Sequence, residues 1–302
     1  MSDRELVVLG TASQVPTRER SHHAALLRWD DEGVLFDPGE GAQRQLGFAG
    51  VAASAITRIC VTHFHGDHCL GLPGVLQRLR LDQVAHPVDV YFPAAGLPYY
   101  ERLTTATVHA PFTAVRAHPC APGTVATAPA FTITARALEH RTDTLGWRLA
   151  EPDGRRMLPD RLAAAGVSGP DVSALARDGV LDVDGRQVHL TDVSEHRPGQ
   201  VVAFVMDTRL CDAAFELAAG ADLLVCEATF LDEDVDLAER YRHLTAGQAG
   251  RIAAEAGARR LVLTHFSRRY PDPAAFAAQA GAWHPDVVVA RDLDRVAVPP
   301  RR

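Results

Sequence analysis

Lysine is absent from this sequence, because all 31 basic residues in its 302 positions are arginine. With 38 acidic residues the net charge is −7, which argues against a protein that binds nucleic acid through its overall charge. Arginine nevertheless carries a planar fork of donors that grips a phosphate in two places. Composition therefore leaves open whether a local arginine patch binds RNA.

Two further absences bear on location. No apolar stretch approaches the roughly 20 residues of a membrane-spanning helix, and no apolar run preceded by positive charge opens the chain, so we expect neither a membrane anchor nor a signal peptide. The cysteines are odd in number and form no Cys-x-x-Cys pair, which favours reduced thiols in a cytoplasmic protein over a disulfide framework. They are Cys60, Cys69, Cys120, Cys211 and Cys226.

The stretch 59–68 is dense in metal-binding side chains. An apolar run over 59–61 predicts a buried strand. Four candidate ligands follow it within six residues, namely His63, His65, Asp67 and His68. Their spacing does not fit one helix face, so we expect a tight loop in which Gly66 lets the backbone turn sharply. Imidazole and carboxylate together favour zinc or a similar divalent ion, and a merely polar loop or a lone structural zinc is the alternative.

The pattern His-x-His-x-Asp-His over 63–68 is the signature of the metallo-β-lactamase superfamily. Other segments resemble one branch of it, the ribonuclease Z enzymes that trim the 3′ ends of transfer-RNA precursors. They are Leu-Gly-Thr at 9–11, Val-Pro-Thr-Arg-Glu-Arg at 15–20, Phe-Asp-Pro-Gly-Glu-Gly at 36–41, Gln-Arg-Gln-Leu at 43–46, Asp-Thr-Arg at 207–209, Glu-Ala-Thr-Phe at 227–230, His-Leu-Thr at 243–245 and Leu-Thr-His at 263–265. The set in this order is much more specific than the histidine motif alone.

The resemblance implies two zinc ions per chain, since seven candidate ligands exceed what one tetrahedral zinc uses. In this pattern one ion is held by His63, His65 and His140, the other by Asp67, His68 and His265, and Asp207 bridges them. His140 is included because its place between a predicted strand over 131–137 and Leu-Gly-Trp-Arg-Leu at 145–149 resembles the family's histidine-loop-Gly-aromatic pattern. Two such ions would activate a shared water for attack on phosphorus.

The resemblance also implies catalytic roles. Asp67 takes the place of the general base, and His243, in the His-x-Thr motif, that of the proton donor. An exposed histidine at the end of a charged helix is the alternative for His243. Glu227 is a candidate to orient His243 through a hydrogen bond. Asp37, which closes an apolar strand, either orients a metal-bound histidine or caps a helix.

Two regions are implied to contact the RNA. The polar loop 14–23 carries Arg18 and Arg20, which by resemblance help to judge the 3′ end, and a merely solvated loop is the alternative. Residues 151–188 correspond to the protruding arm that holds the transfer-RNA elbow, with Gly169 and Pro170 as its centre. This arm lacks the family's lysine-rich run and carries five arginines against seven acidic residues. Because phosphate contacts supply much of the affinity for nucleic acid, the departure weakens the arm's expected grip.

The predicted fold is α/β. Apolar strands precede His63, Asp207 and His265, and ligand sites in α/β sheets gather at such strand ends. Two strand-rich halves flanked by helices predict a four-layer αββα metallo-β-lactamase sandwich, a single domain over 1–302 with the arm inserted. The proline-rich segment 104–129 gives no clear pattern. Three histidines without partner motifs are expected to be ordinary surface or core residues, namely His86, His109 and His118.

The expected function is thus a zinc-dependent endoribonuclease that cuts transfer-RNA precursors after the discriminator base. We expect a cytoplasmic homodimer with no membrane or DNA partner. A hydrolase of the same fold that acts on small phosphodiesters or sulfate esters is one alternative, favoured by the acidic net charge and the depleted arm. A non-catalytic zinc- or RNA-binding protein is another, and the presence of all seven ligands argues against it.

Overall fold

The computed structural model describes residues 4–108 and 114–301, so His109 lies outside the described residues. The first half contains a sheet and the helices that cover it. Its elements are β1 (Glu5–Gly10), β2 (Ala24–Trp29), β3 (Glu32–Phe36), α1 (Ala42–Phe48), β4 (Arg58–Cys60), α2 (Gly66–Cys69), α3 (Leu72–Leu81), β5 (Val88–Pro93), α4 (Leu97–Thr105) and β6 (Val115–Cys120).

The remainder of the chain contains a second sheet, its helices and an inserted segment. Before the insertion come β7 (Gly123–Thr127), β8 (Thr132–Leu138) and β9 (Thr144–Ala150). The insertion has β10 (Gly154–Met157), α5 (Pro159–Ala164), α6 (Pro170–Asp178), β11 (Val180–Val183), β12 (Arg186–His189) and β13 (Ser194–Arg197). After it come β14 (Val201–Val205), α7 (Asp212–Ala218), β15 (Leu223–Glu227), α8 (Val235–Tyr241), α9 (Ala246–Glu255), β16 (Leu261–Thr264), α10 (Ala274–Gly281), β17 (Val287–Val289) and β18 (Arg295–Ala297).

Both large sheets are mixed and have seven strands each. The first has the order β18-β1-β2-β3-β4-β5-β6, and its strands are parallel from β3 to β6. The second has the order β17-β16-β15-β14-β9-β8-β7, and its strands are parallel from β14 to β17. Because parallel strands point the same way, the residues that follow β14, β15 and β16 emerge at one edge.

Three apolar clusters separate the layers. The central one draws on both sheets, and the rings of Phe36 from β3 and Phe204 from β14 stack with their centroids 4.3 Å apart. A second cluster joins the other face of the second sheet to α7, α9 and α10. A third joins the first sheet to α1 and α3. The predicted four-layer αββα order is therefore confirmed.

The chain divides into two compact units. One comprises the residues up to Ala150 together with Val201–Pro299, and the other comprises Glu151–Gln200 with the residues from Pro300 onward. The second unit contains the predicted arm at 151–188 and continues to Gln200. It has a small apolar core of its own, made of Leu162, Val167, Leu175, Val188 and Val193 with partly buried neighbours. Among the helices that the structure describes, none has both the length and the apolar character of a membrane span.

Two local predictions are wrong. The stretch after His65 is not a loop throughout, because Gly66 begins the short helix α2 and is not among the glycines with positive φ. The alternative of Asp37 as a helix cap also fails, because the N-cap of α1 is Gly41, at φ 85°. The proline-rich segment without a clear pattern contains β6 and β7. Pro119 fits there because β6 is an edge strand, where a missing N–H costs no ladder bond.

Candidate metal centre

The seven candidate ligands converge at the ends of strands from both sheets. His63 follows β4, and Asp67 and His68 lie on α2. From the second sheet come residues that follow β8, β14 and β16, namely His140, Asp207 and His265. Six of the seven side chains are buried, and His65 is the exposed one. Asp207 and His265 have positive φ, of 40° and 63°, a backbone strain that is common at functional sites.

One group of ligand atoms surrounds His65. Its Nδ1 lies 2.9 Å from Nε2 of His63 and 3.3 Å from Nε2 of His140. Oδ2 of Asp207 lies 3.5 Å from Nε2 of His63 and 3.6 Å from Nε2 of His140. One ligand atom from each of these four residues falls within 4.8 Å of all the others, so the group could hold one ion.

A second group lies on the other side of Asp207. Nε2 of His68 is 3.1 Å from Nε2 of His265, and Oδ2 of Asp67 is 3.4 Å and 3.5 Å from these two nitrogens. Oδ1 of Asp207 lies 3.3 Å from each of the same nitrogens. Asp207 therefore presents one carboxylate oxygen to each group, which is the arrangement of a bridging ligand. Its Oδ1 is buried and finds no hydrogen-bond partner among the residues that the structure describes.

Asp37 supports the ligands of the first half of the chain. Its carboxylate is fully buried and lies 2.9 Å, through Oδ2, from Nδ1 of His68. The same oxygen accepts a hydrogen bond of 2.7 Å from the Thr62 hydroxyl, whose oxygen is 3.0 Å from Nδ1 of His63. Asp37 thus orients two candidate ligands, one directly and one through Thr62, as the orienting alternative predicts.

Glu227 plays the corresponding part in the second half. Its Oε1 lies 3.0 Å from Nδ1 of His243, so the predicted hydrogen bond is present. Its Oε2 accepts a 2.5 Å hydrogen bond from the Thr229 hydroxyl, whose oxygen is 2.9 Å from Nδ1 of His265. Burial lowers the pKa of His243, but the carboxylates of Glu227 and Asp207 outweigh it and raise that pKa to about 9.

Arg242 joins the His140 loop to the end of α8. Nδ1 of His140 donates to the Arg242 carbonyl at 2.9 Å, and Nη1 of Arg242 donates to the His140 carbonyl at 2.6 Å. Arg242 is the C-cap of α8, in the left-handed conformation at φ 57°. This reciprocal pair fixes the ring of His140 and the backbone just before His243.

The ring orientations show that the site fits metal ions. The Nδ1 atoms of His63, His68, His140 and His265 face oxygen acceptors, as described above, so each proton belongs on Nδ1 and the lone pair on Nε2 faces inward. The Nε2 atoms of His68 and His265 lie 3.1 Å apart with their lone pairs facing each other, in a buried site that also contains two carboxylates. The lone pairs and carboxylates repel one another unless a proton or a metal ion lies between them, and nitrogen and carboxylate oxygen are ligands that zinc takes.

Five of the seven candidate ligands line a cleft with a volume of about 650 Å³, together with His243 and a wall of polar, aromatic and arginine side chains. The five are His65, Asp67, His140, Asp207 and His265. The loop 14–23 contributes Gln14 and Val15 to it, while Arg18 and Arg20 are not among the described lining residues. Arg18 is exposed, and the Arg20 guanidinium lies 5.2 Å from the centroid of the Phe266 ring. Gly169 and Pro170 lie in the arm, at the start of α6.

Three residues near the site escape prediction from sequence. The hydroxyls of Thr62 and Thr229 connect the carboxylates of Asp37 and Glu227 to histidine rings, and the sequence does not indicate these contacts, although Thr229 lies within the motif at 227–230. Arg242 lies in no motif. His23, placed in the polar loop, is fully buried behind the site, with its ring centroid 5.8 Å from that of His68. Of the histidines expected to be ordinary, His86 bonds to two carbonyl oxygens and His118 to Asp89, and neither is among the described lining residues of the cleft.

Comparison with known proteins agrees with this geometry. A sequence model of the metallo-beta-lactamase superfamily matches residues 17–210, and one of the beta-lactamase superfamily domain matches 189–266. Ribonuclease Z of Nocardia farcinica is 61% identical, and that of Streptomyces coelicolor 58%, each over 100% of both chains. Ribonuclease Z of Chlamydia caviae is 46% identical over 97% of this chain and 96% of its own. The crystal structure of the short form of human tRNase Z matches with a TM-score of 0.71 and 26% identity, covering 98% of this chain and 100% of that one.

Proposed function

This chain belongs to the ribonuclease Z family of the metallo-β-lactamase superfamily, and we propose that it removes 3′ trailers from transfer-RNA precursors by two-metal hydrolysis. It is a metal-dependent endoribonuclease. The cut falls after the discriminator base, leaving a 3′-hydroxyl on the transfer RNA. The observation that supports this best is the placement of Asp207, with one oxygen 3.3 Å from two histidines of one group and the other 3.5 Å and 3.6 Å from two of the other.

Two zinc ions are the proposed cofactors. Their ligands would be His63, His65 and His140 for one, Asp67, His68 and His265 for the other, and Asp207 for both. When bound, the ions would lower the pKa of a water between them and neutralise charge on the phosphate oxygens. Asp37, Thr62, Glu227 and Thr229 hold the histidine rings in the tautomer that presents the correct nitrogen.

The proton transfers are assigned to Asp67 and His243. Burial raises the pKa of Asp67, but His68 and His265 outweigh it and hold that pKa well below its usual value, so the carboxylate is ionised. It is the proposed acceptor of the proton from the attacking water. His243 lines the same cleft, and its raised pKa keeps a proton available for the departing 3′ oxygen. Glu227 keeps the His243 ring in place for that step.

The test is cleavage of a precursor with a 3′ trailer by the purified zinc-loaded protein, with product ends mapped to the nucleotide. We expect cleavage after the discriminator base and, for Asp67→Ala, a loss of at least about 100-fold in kcat. Asp31→Ala is the matched control, because Asp31 is an exposed aspartate in the turn between β2 and β3. Absent or misplaced cleavage by the wild type, or cleavage that Asp67→Ala leaves unchanged, would contradict the assignment.

Location and assembly complete the proposal. A cytoplasmic location agrees with the five cysteines, all of which are free thiols. We expect a homodimer by the resemblance to ribonuclease Z, and no DNA partner. Sedimentation of the purified protein would distinguish a dimer from a monomer.

A further inference from the structure

Two adjacent arginines lie on the wall of the cleft. Arg268 and Arg269 follow His265 by a few residues, are exposed and line the same cavity as the candidate ligands. In the described part of the chain neither side chain has a carboxylate within ion-pair distance. Several exposed arginines elsewhere are paired, such as Arg78 with Asp82 and Arg209 with Glu139. Two unpaired positive charges at this cleft are therefore available to a ligand.

The turn that carries these arginines is held firmly. The Ser267 N–H donates to the Thr229 carbonyl at 3.2 Å, and the Tyr270 N–H donates to the Ser267 carbonyl at 3.2 Å. The ring of Tyr270 packs on Phe276 with centroids 5.4 Å apart, and its hydroxyl bonds to Asp234. Burial and the bond to Asp234 raise the pKa of this phenol to about 12, so the bond persists at neutral pH. The backbone is thus preorganised, while both guanidinium groups stay free.

The arm differs in this respect. Within it Arg156 pairs with Glu195 and Arg177 with Asp178. The other arginines predicted for the arm donate within the same unit, Arg155 to Ser194, Arg161 to the Asp192 carbonyl and Arg186 to the Ala165 carbonyl. Two of the five arginines in the arm are therefore paired with carboxylates and the other three donate to neutral oxygens, whereas neither arginine at the cleft wall has a carboxylate partner among the described residues.

Resting on the proposed function, we propose that Arg268 and Arg269 bind a backbone phosphate of the RNA next to the scissile linkage. The metal centre takes one phosphate, and a guanidinium fork is suited to another. A ligand with a single phosphate has no group for this subsite, whereas a phosphodiester chain has a phosphate on either side of the one being cut. The subsite would thus favour a chain over a small diester.

The experiment measures binding as a function of salt. The zinc-loaded wild type, R268Q/R269Q and R268K/R269K are titrated with a labelled single-stranded oligoribonucleotide, shown on a gel to stay intact, and Kd is followed by anisotropy. Loss of the contact with one phosphate should reduce the slope of log Kd against log salt concentration by about 0.7, with roughly tenfold weaker binding at low salt. The lysine variant should keep most of the slope.

The matched control is R80A/R116A, which removes two exposed arginines that are not among the described lining residues of the cleft and changes the net charge equally. An unchanged slope in R268Q/R269Q, or an equal loss in the control, would overturn the subsite. Thermal midpoint and zinc content, measured on each sample, distinguish a lost contact from a damaged fold. If the wild type fails to cut precursor RNA while the slopes differ as expected, the proposed function fails and the phosphate subsite stands.

Discussion

Asp37 and Glu227 occupy equivalent positions in the two sheets, but the histidines that they orient differ in their proposed roles. Each is a fully buried carboxylate at the end of a strand, β3 in the first sheet and β15 in the second. Each reaches one histidine directly and a second through a threonine hydroxyl. Asp37 serves two candidate metal ligands, whereas Glu227 serves one ligand and His243. The first half of the chain therefore shapes the candidate metal site, and the second half also connects it to His243, the proposed proton donor.

The largest effect should come from D37N, because it disturbs two candidate ligands at once. Both carboxylate oxygens of Asp37 accept hydrogen bonds, Oδ1 from the Thr62 N–H and Oδ2 from the Thr62 hydroxyl and His68. The amide nitrogen of asparagine would face a donor at one of these two positions, which disturbs the support of the His63 and His68 rings. We expect zinc affinity to fall by at least about 100-fold and precursor cleavage to fall with it. The measurement is zinc per chain after dialysis against a graded chelator.

The control for D37N is Thr62→Val, which removes only the relay to His63 and should lose less zinc affinity. Two zinc ions retained by D37N at wild-type affinity would show that Asp37 is a packing residue. The proposed equivalence of Asp37 and Glu227 as orienting carboxylates would then be wrong.

A smaller effect, of a different kind, is expected for E227Q. This variant keeps the shape of the side chain but removes the charge that orients His243 and raises its pKa. We expect kcat to fall by about tenfold to hundredfold, with zinc affinity reduced much less than in D37N. The measurement is single-turnover cleavage at saturating zinc.

A double-mutant cycle tests whether this effect passes through His243. In a background of His243→Ala, the same change at Glu227 should cost little further activity. Suppose that the losses of activity from E227Q and His243→Ala simply add, or that E227Q loses zinc as readily as D37N. Glu227 and Asp37 would then both act only by orienting the metal ligands.

Much of this site follows from local sequence. Four candidate ligands lie within 63–68, and the strands before Asp207 and His265 could be recognised from apolar runs, so the convergence at one edge could be predicted. The relays through Thr62 and Thr229 could not, because a hydroxyl finds its partner only when strands far apart in the chain are neighbours. The helix α2 is also missed, since ligand spacing describes side chains and says little about a single turn of backbone.

The arm shows a second limit. Its apolar residues are few and its elements are short, so no periodicity indicates α5, α6 or the paired strands, although they enclose a small core. The number of charges in the arm can be counted from the sequence, but only the structure shows that its arginines already contact carboxylates or neutral oxygens within the same unit. Arg242 is the clearest case. Its contacts with His140 span 102 positions, and nothing in the local sequence indicates them.

The smallest effect should come from R242G. Glycine adopts the left-handed conformation at φ 57° without strain, so this variant keeps the carbonyl that accepts from His140 and removes only the guanidinium. One hydrogen bond contributes about 0.5–1.5 kcal/mol, so we expect zinc affinity at the group around His65 to fall about threefold to tenfold, with the other group unaffected. R242K, which restores a donor, should recover part of the loss, and chelator titration of both variants measures it. A loss equal at both ions would mean that Arg242 stabilises the fold generally, since it contacts His140 of only one group.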